Sequence, residues 1–177
     1  MSRLPKWPLV AAIVTVTVGL DQLTKEWATN RLSGGRSIDV LPTIDFDLTY
    51  NSGFSFSTGD GNGQIVGALV LAVCAFIVWQ IHRETLRGRV VLFAVILGGA
   101  LGNVADRIFR ADDGFLSGEV VDFIDVSWYA VFNVADSFVV CGCVAFIVHE
   151  LIRRRREEAV GADDADAASE LSARDAR

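Results

Sequence analysis

Four blocks of the sequence are almost continuously apolar, and each is close to the ~20 residues that a helix needs to cross a bilayer. They predict membrane-spanning helices at about 8–28, 64–82, 90–110 and 133–152. The first block is purely apolar only from Leu9 to Leu20. It then continues as Asp-Gln-Leu-Thr-Lys-Glu-Trp-Ala, where Leu23 and Trp27, four apart, keep a helical spacing. A secretory signal peptide would also place Arg3 and Lys6 before such an apolar run, but no small-residue cleavage site follows, so the segment reads as a retained helix. Between the first two blocks, Ile44-Asp-Phe-Asp-Leu-Thr-Tyr50 alternates strictly and predicts a half-buried strand. Ser57 to Gly63 is turn material, and Gly118-Glu-Val-Val-Asp-Phe-Ile124 is a second segment able to run extended. The expected fold is therefore an all-α membrane protein of four transmembrane helices with a small β-sheet resting on the outer leaflet. No internal repeat is visible.

Composition strengthens the membrane reading: 51% of residues are hydrophobic and the mean hydropathy is +0.39, far more apolar than one soluble domain requires. The net charge of -6 misleads, because the last 21 residues alone hold seven acidic side chains against two arginines. From Glu157 onward the chain is Ala, Asp and Glu with few large apolar residues, which predicts a disordered extension. The organisation expected is a membrane domain over 1–152 and a basic, then acidic, tail over 153–177. Lys and Arg fall before the first span (Arg3, Lys6), between the second and third (Arg83, Arg87, Arg89) and after the fourth (Arg153 to Arg156), which puts both termini in the cytoplasm. Basic residues beside hydrophobic segments are juxtamembrane charges and give no reason to expect a nucleic acid partner.

Against this apolar background the polar residues stand out. Asp21, Lys25, Asn51, Asn103, Asp106, Arg107, Asp122, Asn133 and Asp136 all fall at the extracytoplasmic end of the predicted spans. A charge at membrane depth costs at least ~3 kcal/mol on insertion scales, so such groups are buried, paired and a functional site by default. Asp21 and Lys25 lie one turn apart and can form an ion pair. Gly98-Gly-Ala-Leu-Gly-Asn103 spaces small residues for close helix approach. Asn103, Asp106 and Arg107 share one helix face, as do Asn133 and Asp136; Asn133 reads equally well as a helix cap. Cys74, Cys141 and Cys143 lie inside apolar runs and are expected to pack in the core, with no disulfide or metal spacing. His82 and His149 sit at span ends and are assigned no catalytic role.

Asp122 lies in Val120-Val-Asp-Phe-Ile124, a costly setting for a lone carboxylate. Paired with another aspartate it would share a proton and offer a base and an acid together, which is the chemistry of aspartic peptidases. Residues and spacing leave a proton-coupled transporter as an equal alternative, and a purely structural assembly protein as a third.

Taken together, Asp21-Gln-Leu-Thr-Lys25, Asn51-Ser-Gly53, Gly98-Gly-Ala-Leu-Gly-Asn-Val-Ala-Asp-Arg107, Val120-Val-Asp-Phe123 and Phe132-Asn-Val-Ala-Asp-Ser137 resemble, in order, the lipoprotein signal peptidases of the signal peptidase II family. The resemblance covers about residues 8–150. It implies a bacterial inner-membrane endopeptidase that cleaves diacylglyceryl-modified prolipoproteins before the lipidated cysteine, without metal or other cofactor. It implies Asp122 and Asp136 as the catalytic pair and Asn51, Gly53, Asn103, Arg107 and Asn133 around the substrate. Asp21, Lys25, Gly99 and Asp106 support the site; without the family, Asp106 could equally have been paired with Asp136. Substrate and membrane lipid are the expected partners, a monomer the expected state, and residues 51–63 a lid. Phe54 departs from the small residue usual after Asn-x-Gly, and only 13 residues separate Asp122 from Asp136. Asp112, Asp113, Asp125 and the acidic tail are expected to be solvated surface.

Overall fold

The structure, a computed structural model, describes residues 5–53, 63–112 and 114–175. Its elements are α1 (Lys6–Leu32), β1 (Ile38–Leu41), β2 (Ile44–Asn51), α2 (Gly63–Arg83), α3 (Arg87–Phe109), β3 (Val120–Val126), β4 (Tyr129–Phe132) and α4 (Val134–Asp175). Among the described residues, four stretches are long and apolar enough to cross a membrane: Lys6–Leu32, Gln64–Arg83, Arg87–Phe109 and Val134–Gly161. Each expected span is present, and the first reaches four residues past its expected end because Leu32 tucks into a buried cluster with Ala28 and Phe123.

The chain divides into two compact units, Met1–Gly142 and Cys143–Arg177. The second is a single run of helix. It carries helix to Asp175, through the acidic stretch for which composition predicts disorder. Ala, Glu and Arg lose little on entering a helix, and Arg153 donates to Glu157 one turn on at 2.9 Å. Cys74 is buried as expected, but Cys141 and Cys143 are exposed on α4. Composition could not tell these apart, because the outer surface of a span is as apolar as its interior.

In the first unit α3 lies against both α1 and α2. Val10, Cys74, Ile77, Ile81, Val90, Ala94 and Leu97 form the core between these three helices. The glycines of α3 permit the closest approaches. A Cβ on Gly98 would stand 2.7 Å from Thr17 Cβ, one on Gly99 2.6 Å from the Ala135 carbonyl, and one on Gly102 2.5 Å from Asp21 Oδ2. Small residues here therefore bring the backbones of α1 and the start of α4 onto α3. The Gly99 contact is with backbone, which cannot swing aside. Gly99→Ala should destabilise by about 1–3 kcal/mol through overpacking. It should also push away the turn that carries Asp136, so an activity that depends on that carboxyl should fall about a hundredfold. Thermal unfolding and initial rates of the purified variant check this; wild-type values for both would refute the packing argument.

The sheet is antiparallel throughout, in the order β1-β2-β3-β4. The alternating segment is β2 and the segment around Asp122 is β3, as their patterns predict. β1 and β4, four residues each, were not anticipated; both are too short to show a period. Phe46 of β2 and Phe123 of β3 meet Trp27 of α1 edge to face, with centroids 5.4 and 6.1 Å from the indole. These rings fix the sheet to the end of α1 and so set where β2 and β3 deliver their polar residues.

Candidate active site

Asp122 projects from β3 and Asp136 from the first turn of α4, and both line one cleft of about 320 Å³. Two amides connect them. Asn133 donates from Nδ2 to Asp122 Oδ1 at 2.6 Å and to Asn103 Oδ1 at 3.0 Å, while Asn103 donates to Asp136 Oδ1 at 2.8 Å. Asn51 donates to the other Asp122 oxygen at 3.0 Å, and its own Oδ1 accepts the Gly53 N–H at 3.0 Å, closing a tight turn. The seven residues expected at the catalytic and substrate positions all line this cleft, except Asn133, which is fully buried behind the carboxylates.

Asn133 serves both of the roles that its position allowed. It precedes Val134, the first residue of α4, and its Oδ1 accepts the Asp136 N–H at 3.0 Å while the Asp136 carboxylate accepts the Asn133 N–H at 3.2 Å. This reciprocal capping box orients Asp136 and places its charge at the positive end of a helix. Its amide is thereby free to face the cleft's other carboxylate.

Behind the cleft lies a fully buried ion cluster. Lys25 pairs with Asp21 at 2.9 Å and Asp106 at 2.8 Å, with all three side chains sealed from solvent, and donates to Asn103 Oδ1 at 2.9 Å. Asp21 accepts the Ala135 N–H at 3.0 Å and Asp106 accepts the Val121 N–H at 3.1 Å, so the cluster grips the strand and helix turn that carry the two aspartates. This occupation removes Asp106 from the cleft and from any pairing with Asp136. Asn103, Asp106 and Arg107, read as one polar face, thus point to different tasks.

Arg107 donates to the Gly53 carbonyl at 3.1 Å and the Asn103 carbonyl at 3.4 Å, and its Nε is buried with no acceptor among the described residues. A buried unpaired donor costs about 1–3 kcal/mol unless something arrives to accept it. Burial pushes the Asp122 carboxyl up to about 6, with the nearby Asp136 charge acting in the same direction and the Asn51 and Asn133 amides opposing both.

Sequence reasoning missed two parts of the site. Gln22 bridges Asp21, the Gly102 carbonyl and Asp106 at 3.1–3.2 Å, and no periodic signal marks it. Val66, Leu69, Val70 and Val73 of α2 form the apolar wall of the cleft. Their i, i+3, i+4, i+7 spacing could have revealed that wall. The expected lid falls mostly on residues 54–62, which with Phe54 and Asp113 lie outside the described residues.

A family model described as signal peptidase (SPase) II matches residues 13–152. The chain is 38% identical over 139 residues to a lipoprotein signal peptidase of Bifidobacterium adolescentis, covering 78% of this chain and 73% of that one. It is 34% identical over 176 residues to one of Leifsonia xyli subsp. xyli, covering 94% and 81%. With one of Mycobacterium tuberculosis the identity is 36% over 141 residues, covering 79% and 69%. Two solved structures, each described as a bacterial membrane enzyme obtained by the in meso method, are similar in fold. One has a TM-score of 0.70 and 26% identity, covering 82% of this chain and 88% of that chain. The other has 0.69 and 25%, covering 82% and 94%.

Proposed function

This chain belongs to the signal peptidase II family of aspartic lipoprotein signal peptidases, and from that premise we propose that it removes signal peptides from diacylglyceryl prolipoproteins using Asp122 and Asp136. The observation that carries the dyad is the pair of carboxylates lining one cleft and bridged by the amides of Asn103 and Asn133.

The two aspartates take different parts. Asp136 is partly exposed, sits at a helix N-terminus and receives Asn103, behind which stands the Lys25 ammonium. It is the general base that takes a proton from the attacking water. Asp122 is only 3% exposed and holds the shared proton. Water oxygen adds to the scissile carbonyl carbon as its proton passes to Asp136, Asp122 hydrogen-bonds the developing oxyanion, and the tetrahedral species collapses as Asp122 passes its proton to the leaving nitrogen, so the pair ends with one proton, as it began. The buried Nε–H of Arg107 and the Gly53 turn hold the substrate backbone, and the α2 wall receives apolar side chains.

The pattern of Lys and Arg supports both termini in the cytoplasm, the sheet on the outer leaflet and a cleft opening on the extracytoplasmic side of the bacterial inner membrane. The working form is a monomer, with the peptidase in residues 1–152 and an extension in 153–177.

The proton assignment predicts a pH profile. Asp122 must be protonated, and it is so below about 6, so kcat/KM should fall about tenfold per pH unit as pH rises above that value. Substrate dries the cleft and raises the carboxyl further, so kcat should fall at a higher pH than kcat/KM. A profile of kcat/KM flat from pH 5 to 9 would remove Asp122 as the proton holder. The substrate assignment is tested by supplying one precursor with and without its diacylglyceryl group. Cleavage immediately before the cysteine of the lipidated form alone is the expected product pattern. Equal cleavage of both forms would reject lipoprotein specificity, and proton flux without any cleavage would favour the transporter.

A further inference from the structure

We propose that the groove between the N-terminal ends of α1 and α3 seats the headgroup of an anionic glycerophospholipid. It encloses about 820 Å³ at the opposite end of α3 from the catalytic cleft, within the range of small-molecule sites. Its shape follows from one side chain. Lys6 reaches over to the end of α2 and donates to the carbonyls of Ile81 at 3.0 Å, His82 at 2.6 Å and Glu84 at 3.2 Å. That ammonium satisfies a helix C-terminus and holds the α2–α3 turn beside the start of α1, leaving a trough between them.

The charge around the trough is unbalanced. Among the described residues its one carboxylate, Glu84, is already engaged by the Thr85 and Leu86 N–H groups, both at 2.8 Å, and by Arg89 at 3.2 Å. Lys6 has spent its donors but keeps its charge. Arg87 lines the groove, is exposed, and has no ion-pair partner among the described residues. It opens α3, whose first turn has no side-chain cap and no acidic residue. An anion with acceptor oxygens fits these groups.

Two observations favour a lipid over a soluble anion. The groove lies where three spans begin or end, at Lys6, Arg83 and Arg87, which is headgroup depth whichever way the chain is inserted. Trp7 stacked on His82 and Trp79 beneath Arg83, both half-exposed, mark the same level as an aromatic belt. The floor is apolar, made by Leu9, Leu86 and Val90, and buries a glycerol and the first methylenes but offers a free phosphate nothing.

The test is independent of cleavage. The full chain is placed in phosphatidylcholine nanodiscs in which phosphatidylglycerol is increased stepwise, and thermal unfolding is followed together with retained lipid by native mass spectrometry. Arg87→Gln is compared with Arg36→Gln, an exposed change of equal charge just beyond the other end of α1. Wild type and Arg36→Gln should show a saturable rise in Tm and retain one phosphatidylglycerol. Arg87→Gln should need about fivefold more lipid for half the rise and should lose the retained molecule. Identical titrations for the two variants would reduce the effect to general surface charge and overturn the proposal. So would an equal rise with inorganic phosphate in pure phosphatidylcholine, or no rise with phosphatidylglycerol.

Discussion

Asp122→Asn and Asp136→Asn should each lower the cleavage rate by about 10²–10⁴-fold, the range lost when a positioned acid or base is removed. An amide at 136 keeps the capping geometry with Asn133 but cannot take the proton of water. An amide at 122 still donates a hydrogen bond but has no proton to give up. Stability should move the other way at position 122. The folded carboxyl, at about 6, lies above the ~3.9 of an unfolded aspartate, so the fold gains relative stability from the protonated form and loses it as pH rises from about 4 through about 6. At pH 7.5 the ionised group therefore costs the fold about 1–3 kcal/mol, and Asn removes that cost. Asp122→Asn should melt higher than wild type at pH 7.5 and nearly level with it at pH 4, while being inactive at both. Equal melting at the two pH values would mean that burial of Asp122 is not strained.

The largest structural effect should come from Lys25→Met. Lys25 is fully buried between Asp21 and Asp106, and removing it leaves the sealed Asp21 carboxylate without a counter-ion and Asp106 with Arg110 alone, at 3.2 Å. Breaking a buried ion cluster from one side costs about 3–5 kcal/mol. In a chain of this size that corresponds to about a 10 °C drop in Tm. The loss should spread to activity, since Asp21 and Asp106 then release the Ala135 and Val121 N–H groups that hold the segments carrying Asp136 and Asp122. The triple replacement Asp21→Asn, Lys25→Met, Asp106→Asn should recover much of the stability, because no fully buried charge is left unpaired and Arg110, which loses Asp106, is partly solvated. A Lys25→Met protein melting within 2 °C of wild type would show that the cluster does not hold the site together.

Much of this arrangement was legible because lipid makes polarity conspicuous. Asp21, Lys25, Asn103 and Asp136 needed no structure to be noticed, since an ionisable or amide side chain in an apolar span requires an explanation. The Asp21–Lys25 pair and the glycine approaches of α3 followed from helical spacing alone. What spacing could not decide was which carboxylate met which. Asp106 and Asp122 were both available to Asp136, and the contacts that separate them, Lys25 and the Val121 N–H on Asp106, depend on how the helices and β3 pack. The short strands β1 and β4 escaped because four residues carry no period, and their position is set by pairing with β2 and β3. Cys141 and Cys143 were misjudged because hydropathy reports membrane residence but not which face of a helix meets lipid. For the acidic tail, low hydrophobicity excludes a core but leaves room for the solvated helix that α4 continues as.

The most direct test of the account is cleavage of one purified diacylglyceryl prolipoprotein at pH 6 by wild type, Asp122→Asn and Asp136→Asn, each first shown to melt cooperatively. Products are identified by mass. A released signal peptide ending immediately before the lipidated cysteine is expected with wild type, and none above background with either variant. A folded variant of either aspartate that cleaved within tenfold of wild type would contradict it.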